Sequence, residues 1–587
     1  MENMRKGFMT AIVLVMMVVA SMTLLVLYQA VANYRENAMS TLSSIQNDAD
    51  SINIMNIGVG FLKPKSLGIL GIPLLYNDNV PTWFNDFKSK LSQDWQNYIT
   101  TYVSTTKACK IYDSTSNAGL IILENASNFL NEITSYIDQR KPYQISLYAF
   151  PMKQSGSTTV FLISMVKRQY RTPNNQYKYV TTYTYCLIGP KLLNQYAYFT
   201  NKETGSDGKA IYFKSGELID GPMRSNDYIY IDNSKGKPTF NGTIEFKGMK
   251  TDIASQPISE SNYEDYANLG GLPKYRILNN SDTSGLDFSS IASEYQTNLQ
   301  NMVKPYSDLQ TTPATPTGIK FDFDNDITLS FNHDTGSDYD LLIYEGSNTA
   351  NSTVRYKIKW KTSGPPNATV IKETYTKQMD DKWIWQRDFQ VDTLFNGVIS
   401  AKKNIIIDGD STLSKYYGNY TLYSEKDIYI KDRLIPYDTY NQYFKNNQAQ
   451  VLNDSDIESI RKYVLANEKS SLNLVAKNNV IVSETNGNKL SNTKLFASIY
   501  AFNGSFKVEN YDKGNKSAGQ LLVFGSIMQN IRGPVGTFNS SGKTKTGYYK
   551  TYAYDKRLTT AAYQPAATPA KNSSAKIQVL GVVKSNN

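Results

Sequence analysis

The chain opens with an apolar run that occurs once. From Phe8 to Ala32 it carries no charge, reading FMTAIVLVMMVVASMTLLVLYQAVA. At about 1.5 Å per residue, a helix of this length spans a hydrocarbon core of about 30 Å. Arg5 and Lys6 precede the run, a bias that keeps the N-terminus cytoplasmic and exports the remainder. Beyond it, Met39, Leu42, Ile45, Ala49, Ile52 and Met55 recur at spacings of three and four, with Ser, Asn and Asp on the other side. That is the apolar stripe of an amphipathic helix. Neither Pro nor Gly interrupts residues 8–57. The pattern therefore predicts one helix of about fifty residues, apolar first and amphipathic after, in a single-pass protein. Ala30-Val31-Ala32 would suit a signal-peptidase site, but the apolar core exceeds the ~7–15 residues of a cleaved signal.

Helical spacing returns over 84–104 and 119–140. After Pro142 the period changes to two. The runs 143–150, 159–170 and 177–189 alternate apolar and polar residues and predict antiparallel strands with one solvated face. From about residue 209 the texture changes again, to short apolar triplets after small or polar corners. Ala401-Lys-Lys-Asn404 precedes Ile405–Ile407, Ser424-Glu-Lys-Asp427 precedes Ile428–Ile430, Ala476-Lys-Asn-Asn479 precedes Val480–Val482, and Ala501-Phe-Asn-Gly504 leads into Phe506–Val508. The interval from Ser424 to Ala476 is about double its two neighbours, and it holds a helical pattern at 456–467. A repeat of roughly two dozen positions with two strands per unit is a β-solenoid signal, since one such unit cannot bury its face alone. In that register Ile406 and Tyr429 occupy equivalent outward positions, while Ile405, Ile407, Ile428 and Ile430 point inward. Residues 284–304 read as a helix ended by Pro305, and 319–391 as strands that are either the first rungs or an insert. Residues 561–587 read as a flexible tail with a last strand.

Composition narrows the chemistry. The 587 residues carry one histidine, His333, and two cysteines, Cys109 and Cys186. Four-cysteine iron–sulfur ligation is excluded, and a four-ligand Cys/His zinc site lacks donors. Any histidine-based nucleophilic catalysis would have to use His333, in FNHDTGSD, with no nucleophile motif nearby. No phosphate loop or dinucleotide fingerprint is present. The chain reads as non-enzymatic and without a cofactor. Net charge is +10, with no run of five like charges, so a polyanion partner such as DNA is permitted but not demanded. The 44 tyrosines fit exposed β-structure outside the cytoplasm.

Three candidates remain. Asp322, Asp324 and Asp326 have the opening spacing of a calcium loop, but Ile327 stands at its sixth position and His333 at its twelfth. Cys109 and Cys186 would share an oxidising compartment, as a disulfide or as two buried thiols. Trp383, Trp385 and Arg387, in DDKWIWQRD, form either a stacking platform for sugars or single-stranded DNA, or core packing.

The N-terminus resembles the type IV prepilin family. Arg5-Lys6-Gly7-Phe8 looks like its leader: a short basic peptide, a glycine, then an aromatic residue opening the apolar helix. The resemblance implies cleavage by prepilin peptidase between Gly7 and Phe8, methylation of the new terminus, and helix packing in a filament core. Filament-forming members carry Glu at the fifth mature position, where this chain has Ile12. That departure favours a minor pilin or pseudopilin. GSIMQNIRGPVGTF (525–538), GYYKTYAYDKRL (547–558) and DGPMRSNDYIYI (220–231) resemble phrases of large pilin-like proteins with a solenoid in the head.

The expected fold is mainly β, with a long N-terminal transmembrane helix, an α+β pilin-like head and a parallel β-solenoid. Its divisions are a leader at 1–7, the helix at 8–58, the head at 59–208, a β-rich region at 209–392, the solenoid at 393–560 and the tail at 561–587. The implied partners are other pilins or pseudopilins, the inner-membrane assembly platform, prepilin peptidase and the membrane, with DNA or surface glycans as ligands. The implied location is the inner membrane, then a pilus at the cell surface. The competing reading is an anchored β-solenoid surface protein that binds or degrades polysaccharide.

Overall fold

The computed structural model describes residues 2–61, 78–114, 135, 142–151, 160–279, 288–300, 302–306, 317–333, 338–346, 352–361, 367–378, 382–409, 413–485, 487–559 and 565–586, with the side chains of most of these from residue 16 onward but not of 58–61, 187–193 or 570–581. Strand outweighs helix. Helix α1 runs unbroken over Glu2–Phe61. Among the described residues it is the one helix long and apolar enough to cross a membrane. From Met16 to Tyr34 its large apolar side chains are exposed.

The second half of α1 lies on a six-stranded antiparallel sheet with spatial order 78–79, 107–113, 144–151, 160–171, 177–192 and 570–586. The opposite face of that sheet packs on α2 (Phe84–Ser89) and α3 (Gln93–Tyr102). There Phe84, Phe87, Ile99 and Val103 meet Phe150, Phe161, Tyr183 and Tyr185. The helix expected over 84–104 is thus two helices; the one expected over 119–140 falls, apart from residue 135, outside the described residues. The sheet's expected solvated face is covered. Ser164, Thr182 and Thr184 are all buried, beneath α1.

Under this cover α1 turns its polar side inward through residues 43–51. Ser43, Asn47, Asp50 and Ser51 are buried, whereas Leu42 and Ile45 are 53% and 61% exposed; of the apolar stripe Met55 goes inward, beside Ile54. The reason is hydrogen bonding. Sheet hydroxyls and carbonyls hidden from water need partners. Asn47 Nδ2 donates to the Val180 carbonyl at 2.7 Å and Ser164 Oγ to the Ser51 carbonyl at 2.8 Å. Ser51 and Thr184 bond through their hydroxyls, and Arg168 pairs with Asp50. An apolar helix face would have left these groups unpaired.

The remainder is a stack of parallel strands around one core. On one face Ile319, Ile399, Leu422, Leu474, Ile499, Ile527, Tyr198, Met223 and Ile244 pair successively, all parallel. A second face carries the triplets, with Leu329, Ile407, Ile430, Val482 and Val508 in register. The corners align as spaced: Ala401 pairs with Ser424, Ser424 with Ala476, and Ala476 with Ala501. Ile406 does pair with Tyr429, and Ile405, Ile407, Ile428 and Ile430 are buried; Ile406 is itself largely covered.

The corners hold together through an Asx ladder. Each side-chain oxygen accepts the backbone N–H of the next rung: Asp326 from Asn404 at 3.2 Å, Asn404 from Asp427 at 3.1 Å, Asp427 from Asn479 at 2.8 Å, and Asn479 from Ser505 at 3.0 Å.

Chain order and spatial order differ. Strand 198–202 stacks on 517–531, so an early segment continues the stack beyond a late one. Helix α4 (Phe288–Leu299) carries the chain back to the far end. It crosses the rungs, with Phe288 against Phe199 and Tyr295 against Tyr423 and Phe502. Residues 319–391 divide: 317–331 are rungs, and 341–393 form an antiparallel meander on the edge of strand 327–331. The helical pattern at 456–467 is α5 (Asp454–Asn467), opened by an Asn453–Asp456 capping box. The last strand, 570–586, returns to the first sheet beside 177–192.

Cys109 and Cys186 are free thiols. They sit on the first sheet's strands 107–113 and 177–192, which two other strands separate. At about 4.8 Å per strand, that spacing exceeds the roughly 7 Å limit for a disulfide. Burial pushes the Cys109 thiol up to about 11 and the Cys186 thiol up to about 12.

Neither thiol should therefore alkylate rapidly until denaturant is added, and the intact mass should not change on reduction. Asn479→Ala should destabilise the stack by about 1–3 kcal/mol in chemical unfolding, while Asn478→Ala changes it by about 0.5 kcal/mol or less. Asp432 is buried, accepting from Gly409 N and Ser414 Oγ, and burial lifts its carboxyl to about 7. The folded chain holds this proton more tightly than the unfolded chain. The stability it contributes is full below pH 3.8 and is lost as pH rises through about 7. Asp432→Asn should remove of the order of 2–4 kcal/mol from the fall in stability between pH 4 and 8, read from unfolding curves at both values.

Candidate functional site

Gly7, Phe8 and Ile12 lie on the first turns of α1; the side chains of Phe8 and Ile12 fall outside the described set. The three aspartates of the calcium-loop spacing do not converge. Asp322 pairs with Lys320 at 2.8 Å and Asp324 with Lys402 at 2.9 Å, while Asp326 begins the Asx ladder. Among the described residues no group of three acidic, His or Cys side chains could hold a metal. The segment is a rung corner between strands 317–321 and 327–331.

His333 is enclosed. Its ring stacks on Tyr417 at 4.2 Å and meets Tyr437 edge-on at 4.5 Å. Its Nδ1 lies 2.5 Å from Oδ1 of the buried Asp340, whose Oδ2 accepts the Trp360 N–H at 2.7 Å. These contacts tie the meander to the stack. Asp340 had no signal in the sequence.

Trp383 and Trp385 stand on the outermost meander strand and are not core residues; Trp383 is 52% exposed. Strand alternation sets them beside Tyr375 and Tyr344. The four rings form a row, Tyr344–Trp385–Tyr375–Trp383, with centroids 6.0, 5.0 and 5.3 Å apart. The Arg355 guanidinium lies 4.2 Å over Trp385 and pairs with Glu373. Arg387 is exposed, on the strand position opposite Glu373. Sequence alone could not supply Tyr344, Arg355 and Tyr375, which come from three other strand positions.

A second feature lies where the short-strand face breaks. Strands 506–508 and 212–214 belong to separate sheets, although the long-strand face is continuous between them. Arg532 fills part of the break. Its guanidinium pairs with Glu203 at 2.9 Å, donates to the carbonyls of Ile211 at 2.7 Å and Tyr212 at 3.2 Å, and stacks 3.6 Å from the Phe213 ring. Beside it Lys550 faces Glu217 at 2.8 Å, and burial pulls its ammonium down to about 8. The rest of the break is an open groove of about 690 Å³. Arg532 and Lys550 belong to the two C-terminal phrases singled out in the sequence. Arg557 closes the second by pairing with Asp555 and donating to the carbonyls of Glu468 and Ser470. Those phrases are structural knots.

Comparison with known proteins adds little. A family model described as a domain of unknown function (DUF4900) matches residues 161–248, which run from the first sheet into the stack. No curated protein matches the chain. A solved structure of the competence-associated pilin ComZ from Thermus thermophilus aligns over 76% of this chain and 84% of that one, at 10% identity and a TM-score of 0.25. A likeness at that score carries no argument about fold or function.

Proposed function

We propose that the chain is a minor pilin-like subunit: a membrane-anchored, non-enzymatic protein that enters a type IV pilus or a related secretion or DNA-uptake machine. The observation that carries this reading is the outward facing of α1. Its apolar stripe continues through Leu42, Ile45 and Ile52, past the stretch that a membrane covers, while its polar side is bonded to the head sheet. A plain signal anchor has no use for a rigid apolar stripe held outside the bilayer. A subunit that packs its helix among others does, because exposed apolar area of this kind favours association. The leader-like Arg5-Lys6-Gly7-Phe8 supports processing before Phe8.

Ile12 supports a low-copy place at the tip. A methylated terminal ammonium in an apolar filament core needs a carboxylate, because an unpaired charge there costs several kcal/mol. Ile12 cannot supply one to an earlier neighbour, and a tip subunit has none. The parallel stack, read as a β-solenoid, would then present the aromatic row for adhesion or DNA capture.

Mass spectrometry of the membrane-extracted protein should find a chain beginning at methylated Phe8; an intact start rejects the reading. Ile45→Glu should still be inserted and processed but vanish from sheared filaments. Gold label on the head should mark one filament end, and label along the shaft would contradict the tip position.

A further inference from the structure

We infer that the groove at the break in the short-strand face binds an uncharged oligosaccharide. Its size falls within the roughly 300–1,000 Å³ usual for small-molecule sites, at about 690 Å³. It is built into the fold, because the column of short strands is interrupted there. Arg532 satisfies the Tyr212 carbonyl at the start of the edge strand and the Ile211 carbonyl just before it, so the edge is stable without closing.

The walls present aromatic rings from both sides. Tyr429 projects from the outward position of its rung, in register with Ile481 and Lys507. Tyr212 comes from the opposite sheet, Tyr511 from beyond the end of strand 506–508, and Phe538 from strand 536–538. None of these four is fully buried, so ring surface remains available. Pyranose rings present C–H faces that pack on such aromatic surfaces, and their hydroxyls need polar groups at the edges.

The charges decide the ligand class. Three of the four lysines lining the groove already have carboxylate partners: Lys209 with Asp207 at 3.5 Å, Lys214 with Asp232 at 2.9 Å, and Lys550 with Glu217 at 2.8 Å. Lys507 has no ion-pair partner among the described residues. Glu509 stands two residues away on the same lining, where its carboxylate accepts the Glu484 N–H at 3.2 Å. A polyanion would meet one unneutralised cation beside one unneutralised carboxylate, which gives it no net attraction. An uncharged polar chain with apolar faces loses nothing to that balance. The inference is independent of filament entry, because the groove lies wholly within the head.

Full-length protein in detergent micelles can be titrated calorimetrically with cellohexaose, chitohexaose and xylohexaose, with hexagalacturonate and a twelve-residue oligothymidylate as anionic comparators. At least one neutral hexasaccharide should bind, with little dependence on salt. Tyr429→Ala and Tyr511→Ala should each weaken it about tenfold, and Lys507→Gln by less than about threefold. Should Tyr429→Ala lower the melting temperature, Tyr511→Ala decides, since Tyr511 lies outside the rung strands. Three results would overturn the inference: no binding of any neutral probe, neutral binding untouched by Tyr511→Ala, or binding confined to the anionic probes and lost as salt is raised. Failure of the filament tests would leave this result standing, and the reverse also holds.

Discussion

The first sheet is held to α1 by a polar contact. An amphipathic helix that packs on a sheet ordinarily buries its apolar stripe. Here Asn47, Asp50 and Ser51 go inward, to hydroxyls, a carbonyl and the Arg168 guanidinium of the sheet. Each such bond adds only about 0.5–1.5 kcal/mol, but an unmade one would cost more, because the groups are already out of water. The contact therefore fixes the rotation of α1 about its own axis. Everything outward on α1 is set by that rotation, including the apolar stripe that carries the functional reading.

The same logic of satisfied backbone and side-chain polar groups runs through the stack. Inward aliphatic residues drive burial without choosing between neighbouring registers strongly, since one isoleucine packs on another much as on a valine. The corner oxygens choose. Asp326, Asn404, Asp427 and Asn479 each receive one particular N–H from the next rung. A slip of one residue would strand the whole ladder and turn every inward side chain out.

Those corners were legible in the chain for a physical reason. The recurrence of Ala401, Ser424, Ala476 and Ala501 gave their register, because the repeat is local and each rung resembles the last. The existence of α1 was equally plain, from an uninterrupted pattern. Its buried face was not, because hydrophobic spacing assumes an apolar partner and this partner is a sheet lined with Ser164, Thr182 and Thr184. The joining of 198–202 to 517–531 was also hidden: no local period links segments so far apart in the chain, and α4 gives no sign that it spans the rungs. Trp383 and Trp385 read more readily as core than as surface, and the structure puts them on the surface, since alternation marks a shared face without saying what lies over it.

The break in the short-strand face sits where these two orders of chain meet. The second half of strand 517–531 carries 198–202 as its next rung, and its first half carries 544–554, on which 218–220 is stacked in turn. Their long strands match, so the core stays continuous. Their corners come from different ends of the sequence and do not produce a matching triplet between 506–508 and 212–214. An unpaired edge inside a sheet protein is a hazard for association with other strands. Arg532 removes that hazard with two hydrogen bonds to the edge carbonyls, and its charge is balanced by Glu203 out of contact with water. A hydrophobic plug could have closed the gap by packing. A guanidinium satisfies the edge from below and leaves the space above it open, so the groove is a consequence of how the join is sealed.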